Sequence, residues 1–349
     1  MTEQDQSLIL ETCRSLVPFL GGKTVFVTGG TGFIGKNLLE TVQILNSKLQ
    51  AEIQLVLLSR DPESFLRKYP QFADPQFRFV KGDMRDFEFP RERMDFIIHG
   101  ASEVLRQDHY DDPSEVLIGS LLGQKHLNEL AAQKRPEAFL LISTGAAYGP
   151  QPRDMDVVPE TYMGGPDTTL ETSSYAEGKR LAESLACVGG QRGNYPVKVA
   201  RAFTFAGPWL PLDGPFAVGN FVGDTLRGES VHVTGDGTPL RSYMYSRELI
   251  VWLLHILCRG EAFRVYNVGS PVAVSIHELA ERISLHGVRP LPISVAQRPT
   301  SQLPSRYVPD TTRAQQELGL HMHVDTAESL RRYYAWCDEN WAPKEQAAQ

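Results

Sequence analysis

The sequence predicts a doubly wound α/β fold: a mostly parallel sheet with helices on both faces, followed by a smaller, irregular region. Three observations carry this. Short apolar, β-rich runs alternate with longer helix-like segments, as strands buried on both faces require. The first run meets glycines at 29, 32 and 35 and passes straight into an amphipathic segment. After about residue 205 the texture changes to shorter elements rich in Gly and Pro, as in GPWLPLDGPFAVGN and VTGDGTPLRS.

The elements follow in order. Leu8, Ile9, Leu10, Leu16 and Leu20 outline a short amphipathic helix leading to Gly21-Gly22 and packing on the body. This segment is acidic early and its apolar runs are short, so it reads neither as a signal peptide nor as a membrane span. Strands are expected at 24–28, 53–58, 77–80, 95–99, 138–143 and 197–203, with helices notably at 33–47, 114–133 and 173–188. The chain divides into a helical extension (1–22), a dinucleotide-binding domain (23–205, with a return segment at about 242–270), and a substrate domain (206–241 and 271–349). No internal repeat or low-complexity segment interrupts it.

A chain of 349 residues buries a core without covalent staples. Its formal net charge of −7 argues against general nucleic-acid binding, while leaving room for a small anionic ligand held by local arginines. Cys13, Cys187, Cys258 and Cys337 lie far apart and form no metal or redox spacing, so reduced thiols in a cytoplasmic protein are expected. His321 and His323 lack further ligands nearby, and no metal site is expected.

The stretch TVFVTGGTGFIGKNLLE explains its own glycines. Gly29 permits a tight turn, Gly32 lets backbone approach a pyrophosphate, and Gly35 allows close packing of the helix. The helix N-terminus then presents free N–H groups and partial positive charge to the phosphates. The second strand ends in Ser59-Arg60, where an acid would hold the ribose hydroxyls of NAD. A hydroxyl and a guanidinium suit a 2′-phosphate, so the expected cofactor is NAD(P), leaning to NADP. Tyr175 and Lys179 share a helix face at i and i+4. A phenol is a poor base at neutral pH, and a fixed ammonium beside it lowers its pKa. Ser143 and Thr144 stand at the end of a buried strand, where such sheets present ligands. Tyr-x-x-x-Lys is a common accident on exposed helices; the dinucleotide turn and the upstream hydroxyls give it weight.

Together these motifs resemble the extended short-chain dehydrogenase/reductase superfamily, in its nucleotide-sugar epimerase/dehydratase branch. The match runs from about Thr24 to about Leu320. It includes the glycine turn, KGDMRD, HGAS at 99–102, STGAAYG, Tyr175 with Lys179, ARAFTFAGP, RSYMYSRE and YNVG. The resemblance implies a Rossmann-type sheet with a cofactor site of Gly29, Thr31, Gly32, Phe33, Ile34, Gly35, Ser59, Arg60, Asp83, Met84, Ala101, Ser102 and Lys179. It places Asp83 near the adenine. Thr144, Tyr175 and Lys179 become the catalytic residues, and Thr204, Asn220, Arg241 and Arg306 substrate contacts. Arg241, and less firmly Arg306, would hold the substrate diphosphate. Relatives use the helices matching 114–133 and 173–188 in a dimeric four-helix bundle, which implies a homodimer.

Two departures bear on the reaction. Relatives often carry Asn where this chain has Ser120 and Thr204. Sugar 4,6-dehydratases carry an Asp-Glu pair after the catalytic threonine, where this chain has Gly145 and Ala146. Dehydration is therefore disfavoured, unless another carboxylate such as Glu103 reaches in. The leading expectation is an epimerase that moves a hydride at C4 of a nucleotide-diphosphate hexose. Tyr175 would handle the hydroxyl proton, Thr144 the same oxygen, and Lys179 the nicotinamide ribose. The alternative is an NADPH-dependent 4-keto-sugar reductase. A non-catalytic dinucleotide sensor, or a reductase of non-sugar ketones, is the more distant reading. Trp209 either lines the substrate pocket or packs.

Overall fold

The computed structural model describes residues 1–101 and 112–340. Helices α1 (Glu3–Cys13) and α2 (Val17–Leu20) precede β1 (Thr24–Thr28), α3 (Phe33–Leu49), β2 (Gln54–Ser59), α4 (Pro62–Lys68), β3 (Phe77–Lys81) and β4 (Phe96–His99). Then come α5 (Pro113–Lys134), β5 (Ala138–Thr144), α6 (Ser174–Gly193), β6 (Val197–Ala202) and β7 (Phe205–Ala206). The remainder runs α7 (Ala217–Arg227), β8 (Val231–Val233), β9 (Leu240–Arg241), β10 (Met244–Tyr245), α8 (Ser246–Arg259), β11 (Arg264–Val268) and β12 (Val274–Ser275). It ends with α9 (Ile276–Ser284), β13 (Ile293–Val295), β14 (Arg306–Tyr307), α10 (Thr312–Leu318) and α11 (Thr326–Asn340).

Seven parallel strands form the main sheet in the order β11-β6-β5-β4-β1-β2-β3. The strand alternation builds two cores. Val25, Val27, Leu55, Leu57, Leu140 and Ile142 pack with α3 and α8 on one face. Phe26, Val56, Leu58, Phe139 and Leu141 pack with α5 and α6 on the other. Burying each such side chain contributes about 1.5–3 kcal/mol relative to leaving it in water. The expected doubly wound fold is present, and the strand at Arg264–Val268 returns to the sheet edge beside β6.

The strand order reverses between β1 and β4, which opens a crevice at the carboxyl ends of the strands. Beyond it lies a third apolar cluster, formed by Val218, Phe221 and Val222 of α7, Leu279 and Ile283 of α9, and Leu330 and Tyr333 of α11. The three-stranded sheet β12-β9-β14 carries Arg241 and Tyr307 as register neighbours.

Candidate active site

The glycine turn lies on the reversal point. Gly29 has φ +76°, and a Cβ there would sit 2.7 Å from the backbone of Gly100 and Ala101. A Cβ on Gly35 would collide with the Gly30 carbonyl. A Cβ on Gly32 would meet only the Gly29 oxygen at 3.4 Å, so this side of the turn is open. Gly32 is the N-cap of α3 and no side chain caps the helix, leaving amides for an anion. The residues present therefore fit a dinucleotide pyrophosphate. Thr28 Oγ1 accepts the Ala101 amide at 3.1 Å and lies 2.7 Å from His99 Nδ1, tying β1 to β4 beneath the turn. Burial, and secondarily the Lys179 charge, push His99 down to about 3, so the ring is neutral.

At the end of β2, Ser59 is buried and Arg60 exposed. Asp83 accepts Nε of Arg85 at 2.7 Å and the Arg85 amide at 3.0 Å. Those bonds to Arg85, aided by the Arg60 charge, hold its carboxyl below the usual range. Met84 turns its side chain into the core against Gly123, so only its backbone is available to a ligand. Thr31, Phe33 and Ile34 lie in the turn and first helical residues. Ser102 and Glu103 lie outside the described residues.

The three catalytic candidates converge. Thr144 ends β5, and its Oγ1 accepts the Ala146 amide at 3.2 Å. It also hydrogen-bonds the Tyr175 phenol, which lowers that group's pKa; burial outweighs this and raises it. Lys179 donates Nζ to the Ile142 carbonyl at 3.0 Å. Burial brings its pKa down to about 8, with Glu183 pulling the other way. The expectation of a phenol already lowered by the ammonium is not met in this arrangement. Burial dominates at Tyr175, and Lys179 is turned to the strand.

Tyr307, which sequence reasoning passed over, places its Oη 3.2 Å from Thr144 Oγ1. Its ring packs against Phe203 at 4.7 Å between centroids, tilted by 37°. Arg241 is half-buried beside Tyr243 and Tyr307, and burial lowers its pKa. It donates Nη1 to the Leu240 carbonyl at 2.9 Å, and no ion pair involving it occurs among the described residues. Arg306, on the neighbouring position of β14, pairs instead with Asp156 at 3.0 Å. Thr204 gives its carbonyl to Met244, and Asn220 is half-buried on α7. Trp209 packs against Tyr69, Phe72 and Trp336 and donates Nε1 to Glu40 at 2.9 Å, which is the packing alternative.

A Cβ at Gly145 would lie 2.6–2.8 Å from the Phe203 ring, so a side chain there would require that ring to move. Among the described residues no cluster of His, Cys, Asp and Glu suits a metal. None of the described helices is long and apolar enough to cross a membrane.

A Rossmann-type sheet with a glycine turn at its reversal point, and Thr, Tyr and Lys converging beside it, defines an extended short-chain dehydrogenase/reductase. The chain belongs to the NAD dependent epimerase/dehydratase family, whose pattern it matches over residues 25–269. It is thus an enzyme of an NAD-dependent class. It is 30% identical over 316 residues to UDP-glucuronic acid decarboxylase 2 of Arabidopsis thaliana, covering 88% of this chain and 67% of the relative. Its fold superposes with a TM-score of 0.78 on UDP-glucose 4-epimerase from Thermotoga maritima, at 21% identity, covering 91% of this chain and 99% of the other. The dTDP-glucose 4,6-dehydratase DesIV of Streptomyces venezuelae, solved with NAD bound, gives 0.76 at 23% identity, covering 91% and 97%.

Proposed function

We propose that the protein interconverts nucleotide-diphosphate hexoses by reversible oxidation at sugar C4, most simply as an epimerase. The observation that carries this is the convergence of Thr144, Tyr175 and Lys179 beside a strand end whose next two positions, Gly145 and Ala146, bear no carboxyl. A bound nicotinamide supplies the hydride acceptor. Tyr175 Oη takes the C4 hydroxyl proton and later returns it, while Thr144 Oγ1 holds the same oxygen. Lys179, once turned toward Tyr175, stabilises the phenolate. Elimination of water needs an acid and a base that positions 145 and 146 do not supply. Half-buried Arg241, with no carboxylate partner among the described residues, suits the substrate diphosphate.

A second reading rests on the relatives named as UDP-glucuronic acid decarboxylases. Oxidation at C4 of a hexuronic acid places a ketone β to the carboxylate, and loss of CO2 then needs no further protein carboxyl. The 4-keto-sugar reductase reading draws on Ser59-Arg60, and this pair also leans the cofactor toward NADP. We further infer a homodimer through α5 and α6, whose Ile118, Leu121, Leu122 and Val188 are exposed, and a cytoplasmic setting from the four free thiols.

The test is a panel of UDP-, TDP-, GDP- and CDP-hexoses together with UDP-glucuronic acid, followed by NMR with and without added NADPH. C4 epimers without added NADPH support the leading reading. A pentose product promotes decarboxylation, and turnover only of supplied 4-keto sugars promotes the reductase. Steady formation of a 4-keto-6-deoxy sugar would overturn the argument from Gly145 and Ala146.

A further inference from the structure

Behind the catalytic residues lies a second polar layer. Tyr175, Lys179 and Glu183 follow one another at four-residue intervals on α6, so they share one face. They oppose the last three residues of β5. Tyr175 faces the Thr144 hydroxyl, Lys179 Nζ reaches the Ile142 carbonyl, and the Glu183 carboxylate accepts a hydrogen bond from the Ser143 hydroxyl. The same carboxylate accepts Nε and Nη2 of Arg201 from β6 at 3.0 and 2.6 Å. Arg201 in turn lies 4.2 Å from the centroid of the Tyr148 ring, in the turn that follows Thr144. Glu183 and Lys179 are both buried.

We propose that Glu183 is a positioning residue for the catalytic group: it clasps the end of β5 through Ser143 and supplies the buried negative charge that keeps Lys179 an ammonium. This rests on the reading of Thr144, Tyr175 and Lys179 given above. The need for it is electrostatic, because a buried ammonium without a counter-charge loses its proton.

The groups around the pair can be named. Lys179 is faced by Glu183 and Tyr175 on its own helix and by His99 from β4, and burial keeps that imidazole neutral. Glu183 is faced by Arg201 from β6, Ser143 from β5, Tyr148 from the following turn and Cys187 one helical turn on. Glu183 is the charged group that raises the Lys179 pKa against burial. Arg201 donates to both oxygens of the same carboxylate.

The experiment is competitive acetylation with acetic anhydride across pH, read by mass spectrometry on the Lys179 peptide. It needs neither cofactor nor substrate. The wild-type midpoint is expected at about 8. Glu183→Gln should lower it by about one pH unit or more, the scale on which a nearby opposite charge shifts a pKa. Glu177→Gln, which removes a carboxylate paired with Arg180 on the same helix, should leave it in place. An unmoved midpoint in Glu183→Gln, or an equal fall in Glu177→Gln, overturns the proposal. Should Glu183→Gln fail to fold, Glu183→Asp keeps the charge but withdraws it by one methylene. It should lower the midpoint by about half a unit, and no change there is equally fatal. Tyr175→Phe, assayed alongside on the sugar that the panel identifies, separates the two levels. Its normal turnover would sink the underlying reading, whereas its lost turnover with an unmoved Lys179 midpoint would sink only this inference.

Discussion

Tyr175 reaches its place because one helix face carries it and one strand end carries Thr144, so the side chain tests a single geometric idea. Tyr175→Phe removes the ionisable oxygen and keeps the ring. Turnover should fall by about two orders of magnitude or more, the size of general acid/base contributions, with melting temperature and NAD affinity retained; steady-state kinetics with a thermal melt checks this. Arg60 makes a separate claim about the cofactor. Arg60→Ala should weaken NADP binding by about 1.5–3 kcal/mol, as for a hydrogen bond to a charged group, and leave NAD nearly unchanged. Fluorescence titration with both cofactors decides, and equal losses would leave Arg60 as an ordinary surface residue. Thr144, Tyr175 and Lys179 were legible because their spacing is local to one strand end and one helix. Tyr307 was not. It lies 163 positions from Thr144, and the pairing of β14 with β9 beside the site brings it in. A lone tyrosine in an irregular loop carries no local signal.

Among the elements, the N-terminal helix departs most from its expected role as a simple packing extension. Leu8, Ile9 and Cys13 are buried as the apolar pattern requires, yet the helix also brings a buried carboxylate. Asp5 accepts the Tyr245 hydroxyl at 3.0 Å and Nη1 of Arg332 at 3.0 Å. It thereby ties α1 to β10 and to α11. Those partners lie 240 and 327 positions away, so no periodicity within residues 1–22 could reveal them. Asp5→Ala leaves a buried hydroxyl without its acceptor and Arg332 with Glu328 as its remaining partner at 2.7 Å. The free energy of unfolding should drop by about 1–3 kcal/mol, the cost of stranding a buried polar group. Urea denaturation reads this directly, and a change within a few tenths would show that the clasp adds nothing beyond packing. The six strands expected from the sequence, by contrast, match their bounds to within one residue. Near-continuous apolar runs bounded by Gly, Pro and polar residues specify a strand buried on both faces with little help from the rest of the chain.

At the scale of the whole molecule, the doubly wound order follows from right-handed crossovers joining parallel strands, and the return of β11 to the sheet edge completes it. What the chain pattern leaves out is how charge is buried where the layers meet. Glu248, on the fully buried face of α8, accepts the amides of His323 and Val324 in the loop before α11. Burial raises its pKa to about 7 against those two bonds. Its sign for stability is definite. The folded state binds this proton more tightly than the unfolded chain, so the contribution is fully present below about pH 4.5, the ordinary glutamate value, and is lost as pH rises to about 7. His99 works in the opposite sense. Its folded pKa of about 3 lies below the ordinary 6.5, so its contribution is present above that value and is lost as pH falls toward 3. The raw stability curve mixes both, and the comparison of Glu248→Gln with the wild type isolates one. Glutamine cannot ionise, so the difference in unfolding free energy between the two proteins should change by on the order of 3 kcal/mol between pH 4.5 and 7.5. The wild type should lose ground to the variant as pH rises, whatever constant offset the amide introduces. Urea melts at four pH values across that window measure it. A difference that stays flat would mean that the Glu248 carboxylate is already ionised at pH 4.5 in the folded protein, and that its two backbone donors outweigh its burial.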